Sequence, residues 1–316
     1  LPKEGGMRLC RACSVEEFRD PRDGKKFLPV YLDGRDLVLC KRHKRAEKLD
    51  CALNCCHGGA GEDGTLSALL RWHGVPFASP DAAVSSVFIN KEFSQIAARG
   101  LGIPVARSFA VSEREWREES GKVHKRAEEL GFPVIVKPSR LGSSIGIKVA
   151  KDGAELAEAL TLAFRLDDGA LIEEYFAQKR DINCAAYAVA GKVTVSECEE
   201  VFSSEEILTF SEKYEGTGMR SGQQPADLPP ELSDEIREYT RRIYEGFHVR
   251  GIVRADFLIV DGKAYFNELN TVPGSLACYL FGESLVGARE LLVTLARDAM
   301  NGFGAEKEIV STGILN

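Results

Sequence analysis

Residues 253–274 read VRADFLIVDGKAYFNELNTVPG, two apolar runs on either side of the turn residues 261–263. Two such runs around a short glycine-containing turn predict an antiparallel hairpin. A three-residue turn over 261–263 would place Asp256 directly opposite Glu268. A two-residue turn would shift the pairing by one residue and send the two carboxylates to opposite faces of the sheet. A shared face therefore requires the longer turn.

Polar side chains interrupt the apolar strands of this hairpin. In the same pairing Arg254 lies opposite Asn270, so both share the face of Asp256 and Glu268. Two carboxylates and an amide oxygen are hard ligands suited to Mg²⁺ that is held jointly with substrate phosphates. A solvated strand face is the alternative, but these residues and Asn267 stand inside otherwise apolar strands. The pattern favours a metal site formed by Asp256, Glu268 and Asn270.

A second segment, residues 134–147 (VIVKPSRLGSSIGI), has the pattern of a phosphate-binding loop. A strand delivers Lys137, and a loop of small residues follows with the hydroxyls of Ser143 and Ser144. Glycines let backbone N–H groups approach phosphate oxygens, and a lysine supplies a point charge for the same oxygens. On this segment alone, a surface turn with an incidental lysine is an equal alternative. The polar hairpin at 253–274 decides in favour of phosphate binding.

The loop at residues 57–64 (HGGAGEDG) matches the G-x-G-x-x-G spacing of the dinucleotide fingerprint. Glu62 and Asp63 stand where a pyrophosphate would sit, and their negative charge opposes its binding. The sequence contains no GxxxxGK(S/T) motif, which excludes a P-loop. A nicotinamide-dependent dehydrogenase is therefore disfavoured.

The composition narrows the class of protein. The 316 residues include 41 basic and 48 acidic side chains, a net charge of −7, which argues against a nucleic-acid-binding protein. No apolar stretch is long enough to span a membrane. The chain begins with Leu1-Pro2-Lys3, without Met or a signal core. We expect a soluble cytoplasmic protein whose true N-terminus lies outside this sequence.

Nine cysteines are an odd number without the spacing of a disulfide framework, so we expect free thiols. A zinc site is the alternative, because Cys10-x2-Cys13 and Cys40-x2-His43 together offer four ligands. Cys40 ends a predicted strand, and basic residues surround His43, which weakens that alternative.

Hydrophobic periodicity predicts mixed helices and strands, of class α/β (α+β). An apolar run over 49–56, the glycine loop and a helix over 65–72 suggest an α/β unit. The long polar stretch 203–231 is typical of a lid or binding loop. The remaining predictions are strands over 27–32, 37–40, 134–136 and 171–176, hairpins over 182–201 and 252–269, and helices over about 90–100, 153–166, 233–247 and 284–300.

The chain resembles the D-alanine–D-alanine ligases of the ATP-grasp superfamily, from about residue 28 to 300. Four motifs stand in the family's order: HGGAGEDGTL (57–66), VIVKPSRLGSSIGI (134–147), SEKY (211–214) and RADF…NELNTVPG (254–274). The resemblance implies a three-domain ATP-grasp architecture with ATP between the central and C-terminal domains. The implied domains are an incomplete N-terminal α/β substrate domain (1–86), a central ATP-grasp domain (87–178), and a C-terminal ATP-grasp domain with the Mg site and lid (179–316).

In that family, Mg-ATP phosphorylates the carboxylate of one D-alanine, and the amine of a second attacks the acyl phosphate. The products are the dipeptide used in peptidoglycan precursor synthesis, ADP and phosphate. Two alternatives stay open: a ligase that joins another carboxylate and amine, and an ATP-binding protein that no longer ligates. The resemblance also implies small amino-acid substrates and a homodimer.

The resemblance assigns residues to ATP and to two Mg²⁺ ions, for which Mn²⁺ can substitute. The ATP residues are Lys91 and Lys137 (phosphates), Ser143 and Ser144 (closing loop), Glu173 and Phe176 (adenine), Asp181 (ribose) and Lys213 (lid). The metal residues are Asp256, Glu268 and Asn270.

The resemblance also assigns residues to catalysis. Arg254 and the Gly274 N–H would stabilise the oxyanion of the tetrahedral intermediate, an effect of about 3–4 kcal/mol per donor. Tyr214, on the lid, and Ser143 would close over the reacting groups. His57 would lie near the first substrate, and a histidine that merely caps its own turn is the alternative.

The sequence departs from the family at two places. The family's opening strand and glycine-rich turn, with a glutamate for the first substrate's ammonium, have no counterpart before residue 28. Tyr279 stands where the family has a serine that grips the acceptor's carboxylate. D-alanine, D-serine, D-lactate and other amines all stay open as acceptors.

Overall fold

Three antiparallel sheets form the framework of the chain in a computed structural model that describes residues 6–10, 27–142, 144–202, 222–282 and 284–303. The first sheet has the order β1–β2–β3–β4, namely β1 (Met7–Leu9), β2 (Leu28–Asp33), β3 (Asp36–Leu39) and β4 (Lys44–Lys48). Three helices follow: α1 (Thr65–Trp72), α2 (Ala82–Ile89) and α3 (Lys91–Gly100). Leu32 of this sheet packs with Leu70 of α1 in a small separate core.

The second sheet has the order β5–β8–β6–β7 and carries two helices on one face. Its elements are β5 (Ser108–Ser112), α4 (Glu113–Leu130), β6 (Val134–Pro138), β7 (Lys148–Ala150), α5 (Gly153–Phe164) and β8 (Gly169–Glu174). Val134, Val136 and Ile172 point from alternate strand positions into one core with Leu156 and Leu160 of α5. The opposite face of β6 and β8 is left for polar side chains.

The third sheet has the order β12–β11–β9–β13–β14, and β10 also pairs with β9. Its elements are β9 (Arg180–Val189), β10 (Lys192–Val195), β11 (Glu199–Val201), β12 (Gly222–Gln223), α6 (Pro230–Gly246), β13 (Ile252–Val260), β14 (Lys263–Asn270), a 3₁₀ segment (Gly274–Phe281) and α7 (Leu285–Phe303). One face packs against α6, where Ile182, Phe257 and Phe266 meet Ile236 and Ile243. Val84 and Phe88 of α2 join that same core.

Capping residues fix where several helices begin. Asp81, Asn90, Ser112 and Asp152 each accept hydrogen bonds from backbone N–H groups in the first turn of the following helix. Such caps satisfy donors that have no partner within the helix. Within the described part of the chain, no helix is both long and apolar enough to cross a bilayer.

The hairpin of β13 and β14 has the predicted cross-strand pairs, Asp256 with Glu268 and Arg254 with Asn270. The three-residue turn that was expected to produce them is wrong. The turn has two residues, since Val260 pairs with Lys263. A β-bulge then shifts the register, so that Asp256 pairs with Glu268. The extra residue on β14 is Asn267. A bulge inserts one residue into one strand, and here it does what the three-residue turn was expected to do.

Other predicted elements are confirmed or corrected as follows. The mixed helix-and-sheet class is confirmed. Residues 49–56 form no strand, and only Ala52 makes an isolated bridge to Phe77, so the expected α/β unit is wrong there. Helix α6 begins at Pro230 rather than at the predicted cap Ser233. β1, β4, α2 and α4 were not predicted. The domain boundaries stay a prediction, and most of the expected lid lies outside the described residues.

The two-residue turn depends on the conformation of Gly262. Gly262 has φ +74°, and an added Cβ would meet nothing within 4 Å, so a substitution strains the backbone alone. We expect Gly262→Ala to lower the free energy of unfolding by about 1 kcal/mol, measured by urea titration. Gly121→Ala is the matched control, because Gly121 lies in α4 with equally open space. This control should stabilise by up to about 1 kcal/mol, and equal effects of the two variants would contradict the turn strain.

Candidate functional site

A row of polar residues crosses four strands of the third sheet. Glu199 on β11 pairs with Asn183 on β9, Asn183 pairs with Asp256 on β13, and Asp256 pairs with Glu268 on β14. Directly opposed residues point to the same face. Their face is the one opposite the α6 core, to which Ile182 belongs. The bulge at Asn267 keeps Glu268 in this row.

Arg254 and Asp256 form a close ion pair at the centre of that face. Arg254 Nε donates to Asp256 Oδ1 at 2.7 Å and Nη2 donates to Oδ2 at 2.9 Å. Asn270 Nδ2 donates to Oδ2 at 2.9 Å. Burial alone would lower the pKa of Arg254, but the Asp256 carboxylate outweighs it and raises that pKa, so the guanidinium stays charged. Its Nη1 is buried and has no hydrogen-bond partner among the described residues.

The oxygen atoms of this face suit a divalent cation that a ligand helps to hold. Asp256 and Glu268 lie directly opposite each other, and Asn270 brings an amide group beside them. No group of three His, Cys, Asp or Glu that could hold a metal occurs within the described ranges. Two carboxylates and one amide leave most positions around Mg²⁺ to waters and phosphate oxygens, which is how proteins commonly bind it. The donor set therefore fits a phosphate-bound Mg²⁺.

Lys137 joins the second sheet to the third. It is 7% exposed, forms a short ion pair with the 4%-exposed Glu173 on β8, and donates to Asn267 Oδ1 at 3.1 Å. Gln95 of α3 donates to the other oxygen of Glu173. The sequence analysis expected Glu173 near the adenine. In the structure Glu173 is also the counterion of Lys137. Its burial with Lys137 places a compensated cation beside the carboxylate row.

Lys91 brings a second ammonium to the same place from the first turn of α3. Its Nζ donates to the Leu141 carbonyl, in the loop that follows β6. Burial lowers the pKa of Lys91, and the charge of Lys137 adds to this effect, whereas Glu268 and Glu173 oppose it. The two lysines and Glu268 are therefore near enough to interact electrostatically across the two sheets.

The expected nucleoside contacts lie along the junction between the second and third sheets. Phe176 follows β8, and its ring centre lies 5.3 Å from that of Tyr265 on β14. Asp181 on β9 accepts from Lys179 Nζ at 2.7 Å through each of its two oxygens. Tyr265 was missed by the sequence analysis, although its register puts it two pairs from Asp256. An aromatic pair and a carboxylate are thus available to a nucleoside.

The glycine loop of residues 57–64 lies against the loop that carries Ser144. His57 Nδ1 is 3.5 Å from Glu62 Oε1. A Cβ on Gly142 would lie 4.0 Å from Glu62 Oε2. Ser144 has φ +59°, a left-handed conformation that is uncommon for a residue with a side chain. The structure thus brings the loop of His57 beside the loop that carries Ser144, and Glu62 lies at the contact with Gly142.

A strained turn follows Gly274. Ser275, Leu276 and Ala277 have φ of 52°, 48° and 49°, three left-handed residues in succession. The turn leads to Tyr279, whose hydroxyl donates to Glu199 Oε2 at 3.0 Å. Three successive left-handed residues without a glycine are unusual, because each costs about 1–2 kcal/mol.

Several predicted residues lie outside the part of the chain that the structure describes. Ser143, Lys213, Tyr214 and Cys13 are among them. Cys10 and Cys40 are free thiols, and His43 Nδ1 lies 3.4 Å from the Tyr31 hydroxyl. Zinc binding by these residues stays untested.

Besides Tyr265, three residues of the site escaped the sequence analysis. Glu199 and Asn183 belong to the polar row, and Asn267 is a partner of Lys137 as well as the bulge residue. Only the cross-strand register between β11, β9 and β13 brings Glu199 and Asn183 into line with Asp256, and this pairing is not visible in the sequence. The sequence analysis noted Asn267 as a polar residue inside an apolar strand, but it did not predict the β-bulge that this residue forms.

Comparison with known proteins agrees with this geometry. Residues 98–288 match the family described as D-ala D-ala ligase C-terminus. The chain is 35% identical over 234 residues to a D-alanine–D-alanine ligase of Campylobacter lari, a match that covers 74% of this chain and 64% of that protein. The matched region therefore spans 64% of the length of this curated relative, and of the next ones as well.

Solved structures show the same fold. The D-alanine–D-alanine ligase of Helicobacter pylori is similar with a TM-score of 0.71 and 28% identity, over 90% of this chain and 82% of that one. The VanG D-Ala:D-Ser ligase of Enterococcus faecalis is similar in fold, with a TM-score of 0.75 and 23% identity over 95% of this chain and 87% of that one.

The buried pair of Lys137 and Glu173 predicts strong energetic coupling. Lys137→Met should lower the free energy of unfolding by about 3–5 kcal/mol, because among the described residues it leaves the buried Glu173 carboxylate with a hydrogen bond from Gln95 and no ion pair. The double variant Lys137→Met/Glu173→Gln should lose much less than the sum of the two single variants. Urea unfolding of all four proteins without nucleotide measures this coupling. Additive losses would contradict it.

Proposed function

This chain belongs to the D-alanine–D-alanine ligase family, whose C-terminal region it matches over residues 98–288, and on that premise we propose that it is an ATP-dependent D-alanine–D-alanine ligase. The reaction would be carboxylate–amine ligation through an acyl phosphate, for peptidoglycan precursor synthesis. One observation carries the proposal: Lys137 hydrogen-bonds to the strand that bears Glu268 and Asn270. This hydrogen bond supports a single site in which Lys137 would bind phosphate and the strand face would bind metal.

ATP would lie between the second and third sheets. Lys91 and Lys137 would hold its phosphates, the touching rings of Phe176 and Tyr265 would line one side of the adenine, and Asp181 would bind the ribose. Lys179 holds both oxygens of Asp181, so the ribose hydroxyls would share that carboxylate with a lysine. Ser143, Ser144 and Lys213 would close over the phosphates.

Two Mg²⁺ ions would be held by Asp256, Glu268 and Asn270, together with ATP oxygens. When bound, these ions neutralise the charge that develops during phosphoryl transfer. Asp256 is already engaged by Arg254 and Asn270, so its oxygens are oriented before any cation arrives. Such preorganisation lowers the reorganisation needed at the moment of reaction.

Arg254 and the Gly274 N–H would stabilise the oxyanion that forms when the amine attacks the acyl phosphate. The buried Nη1 of Arg254 supports this role, since it is a donor without a hydrogen-bond partner in the described residues. His57, with Glu62 beside it, would position the first substrate. Tyr214 would complete the lid, and the acyl phosphate must be shielded from water by such closure.

A ligase with another acceptor is the second candidate. Tyr279 favours it, because a bulky phenol that already donates to Glu199 replaces the serine expected from the family. The alternatives to D-alanine would be D-serine or another amine, or the hydroxy acid D-lactate. A homodimer is proposed from the family alone.

Activity is tested by phosphate release from Mg-ATP with D-alanine, beside D-serine, D-lactate and L-alanine. We expect release that depends on D-alanine and a D-Ala-D-Ala product by mass spectrometry. Asp256→Asn should lower the rate by about a hundredfold or more, equivalent to about 2.7 kcal/mol. Asp261→Asn, in the exposed turn of the same hairpin, is the matched control and should leave the rate unchanged.

Turnover with another pair of substrates would replace D-alanine and keep the ligase chemistry. ATP binding without turnover of any pair would favour a protein that no longer ligates.

Lys91 predicts a pH dependence of nucleotide affinity. Burial lowers its pKa from the ordinary 10.5, so the ammonium loses its proton at a lower pH than an exposed lysine. ATP prefers the charged form, and its affinity should therefore fall as the pH rises through that lowered pKa. Lys91→Arg keeps the charge at all these pH values and should flatten the profile. Dissociation constants measured from about pH 7 to 10 test this, and identical profiles of the two proteins would exclude Lys91 as the cause.

A further inference from the structure

Glu199 is a buried carboxylate to which the mechanism above gives no task. Its residue is 5% exposed, and one of its oxygens, Oε2, accepts from Asn183 Nδ2 at 3.1 Å and from the Tyr279 hydroxyl at 3.0 Å. Burying a carboxylate is costly unless it is well hydrogen-bonded. Its other oxygen lies against the backbone of Gly222, where an added Cβ would be 2.9 Å away. The side chain is thus held on two sides.

The hydrogen bond to Glu199 decides what Tyr279 can offer a ligand. A phenol has one O–H to donate and lone pairs that accept. Asn183 Nδ2 can only donate, so Glu199 Oε2 accepts from it. The same oxygen accepts the O–H of Tyr279, which leaves the phenol no second hydrogen to donate. Any further group at the Tyr279 oxygen must therefore be a donor. A substrate carboxylate cannot fill that place, whereas an ammonium can.

Tyr279 lies where the second substrate would approach. Glu199 is in one cross-strand row with Asn183 and Asp256. Tyr279 also interacts electrostatically with Arg254, the group proposed to stabilise the oxyanion. Since Asp256 already pairs with Arg254, the negative charge of Glu199 is available to compensate a cation that enters beside Tyr279.

The segment of Tyr279 also lies near the residues that precede the glycine loop of His57. Cys278, its neighbour, interacts electrostatically with Cys55, two residues before His57. The segment that carries Tyr279 therefore lies near the loop proposed to position the first substrate.

We propose that Tyr279 binds the ammonium group of the acceptor substrate through its phenol oxygen, and that Glu199 is the positioning residue that fixes the direction of that hydrogen bond. The inference rests on the proposed ligase function and names the group recognised at its second subsite. It assigns Tyr279 to the amine of the acceptor, not to the carboxylate that the replaced serine would contact. A hydroxyl could also donate to this oxygen, but the negative charge of the neighbouring Glu199 would favour a cationic amine.

Two variants test the direction of the hydrogen bond. Glu199→Gln is nearly isosteric, but its amide can donate to the Tyr279 oxygen and turn the phenol O–H towards the ligand. Tyr279→Phe removes the phenol oxygen. Glu197→Gln is the matched control, since the exposed Glu197 pairs with Arg237 away from the row. Thermal melting confirms that each variant is folded.

The readout is the partition of the acyl phosphate between D-alanine and hydroxylamine in one mixture. Hydroxamate reports the first step, and dipeptide reports capture by the acceptor amine. Glu199→Gln and Tyr279→Phe should each lower the ratio of dipeptide to hydroxamate at least fivefold. The sum of the two products, which reports formation of the acyl phosphate, should stay within twofold of the wild type. The ratio of D-alanine to D-lactate used as acceptor should fall in Glu199→Gln, because D-lactate has no ammonium. Glu197→Gln should change neither ratio.

The inference is overturned if both ratios stay at the wild-type value, or if hydroxamate and dipeptide fall equally in both variants. A wild-type protein that forms neither product with any donor would overturn the proposed function itself, and the inference with it. Wild-type hydroxamate without a change of partition in the variants overturns the inference alone.

Discussion

Asn267 is the residue on which both halves of the site depend. As the extra residue of the bulge, it restores the register that sets Asp256 opposite Glu268. Its side chain also accepts the hydrogen bond from Lys137, which belongs to another sheet. One residue thus aligns the carboxylates and ties them to Lys137, the cation proposed to bind phosphate. Without it, a two-residue turn would carry Glu268 to the apolar face beneath α6.

The site balances its charges internally before any ligand binds. Lys137 is matched by Glu173, and Arg254 by Asp256. Each pair is buried enough for the loss of one partner to be costly. ATP and Mg²⁺ would therefore enter by exchange, the phosphates taking over lysines and the cations taking over carboxylates. The two ion pairs would thus present a field that is oriented before the substrates bind.

The local patterns of the sequence predicted much of the fold, and long-range register set the rest. The segment 134–147 and the hairpin of Asp256 and Glu268 were found because apolar alternation and a glycine turn are local signals. The turn length was wrong, since a bulge leaves no mark beyond one polar residue. Glu199 could not be found, because its place beside Asn183 depends on the pairing of β9 with β11. The strand expected over 49–56 failed because an apolar run does not by itself reveal whether a partner strand exists.

The left-handed turn at Ser275, Leu276 and Ala277 has an evolutionary consequence. Three strained residues together store about 3–6 kcal/mol, a substantial share of the stability of an ordinary domain. Glycine at any of them would relieve strain and make the protein more robust. The same change would loosen the segment that presents Tyr279. With Tyr279 in the role proposed for it, selection for heat tolerance and selection for one acceptor would favour opposite changes in this short stretch.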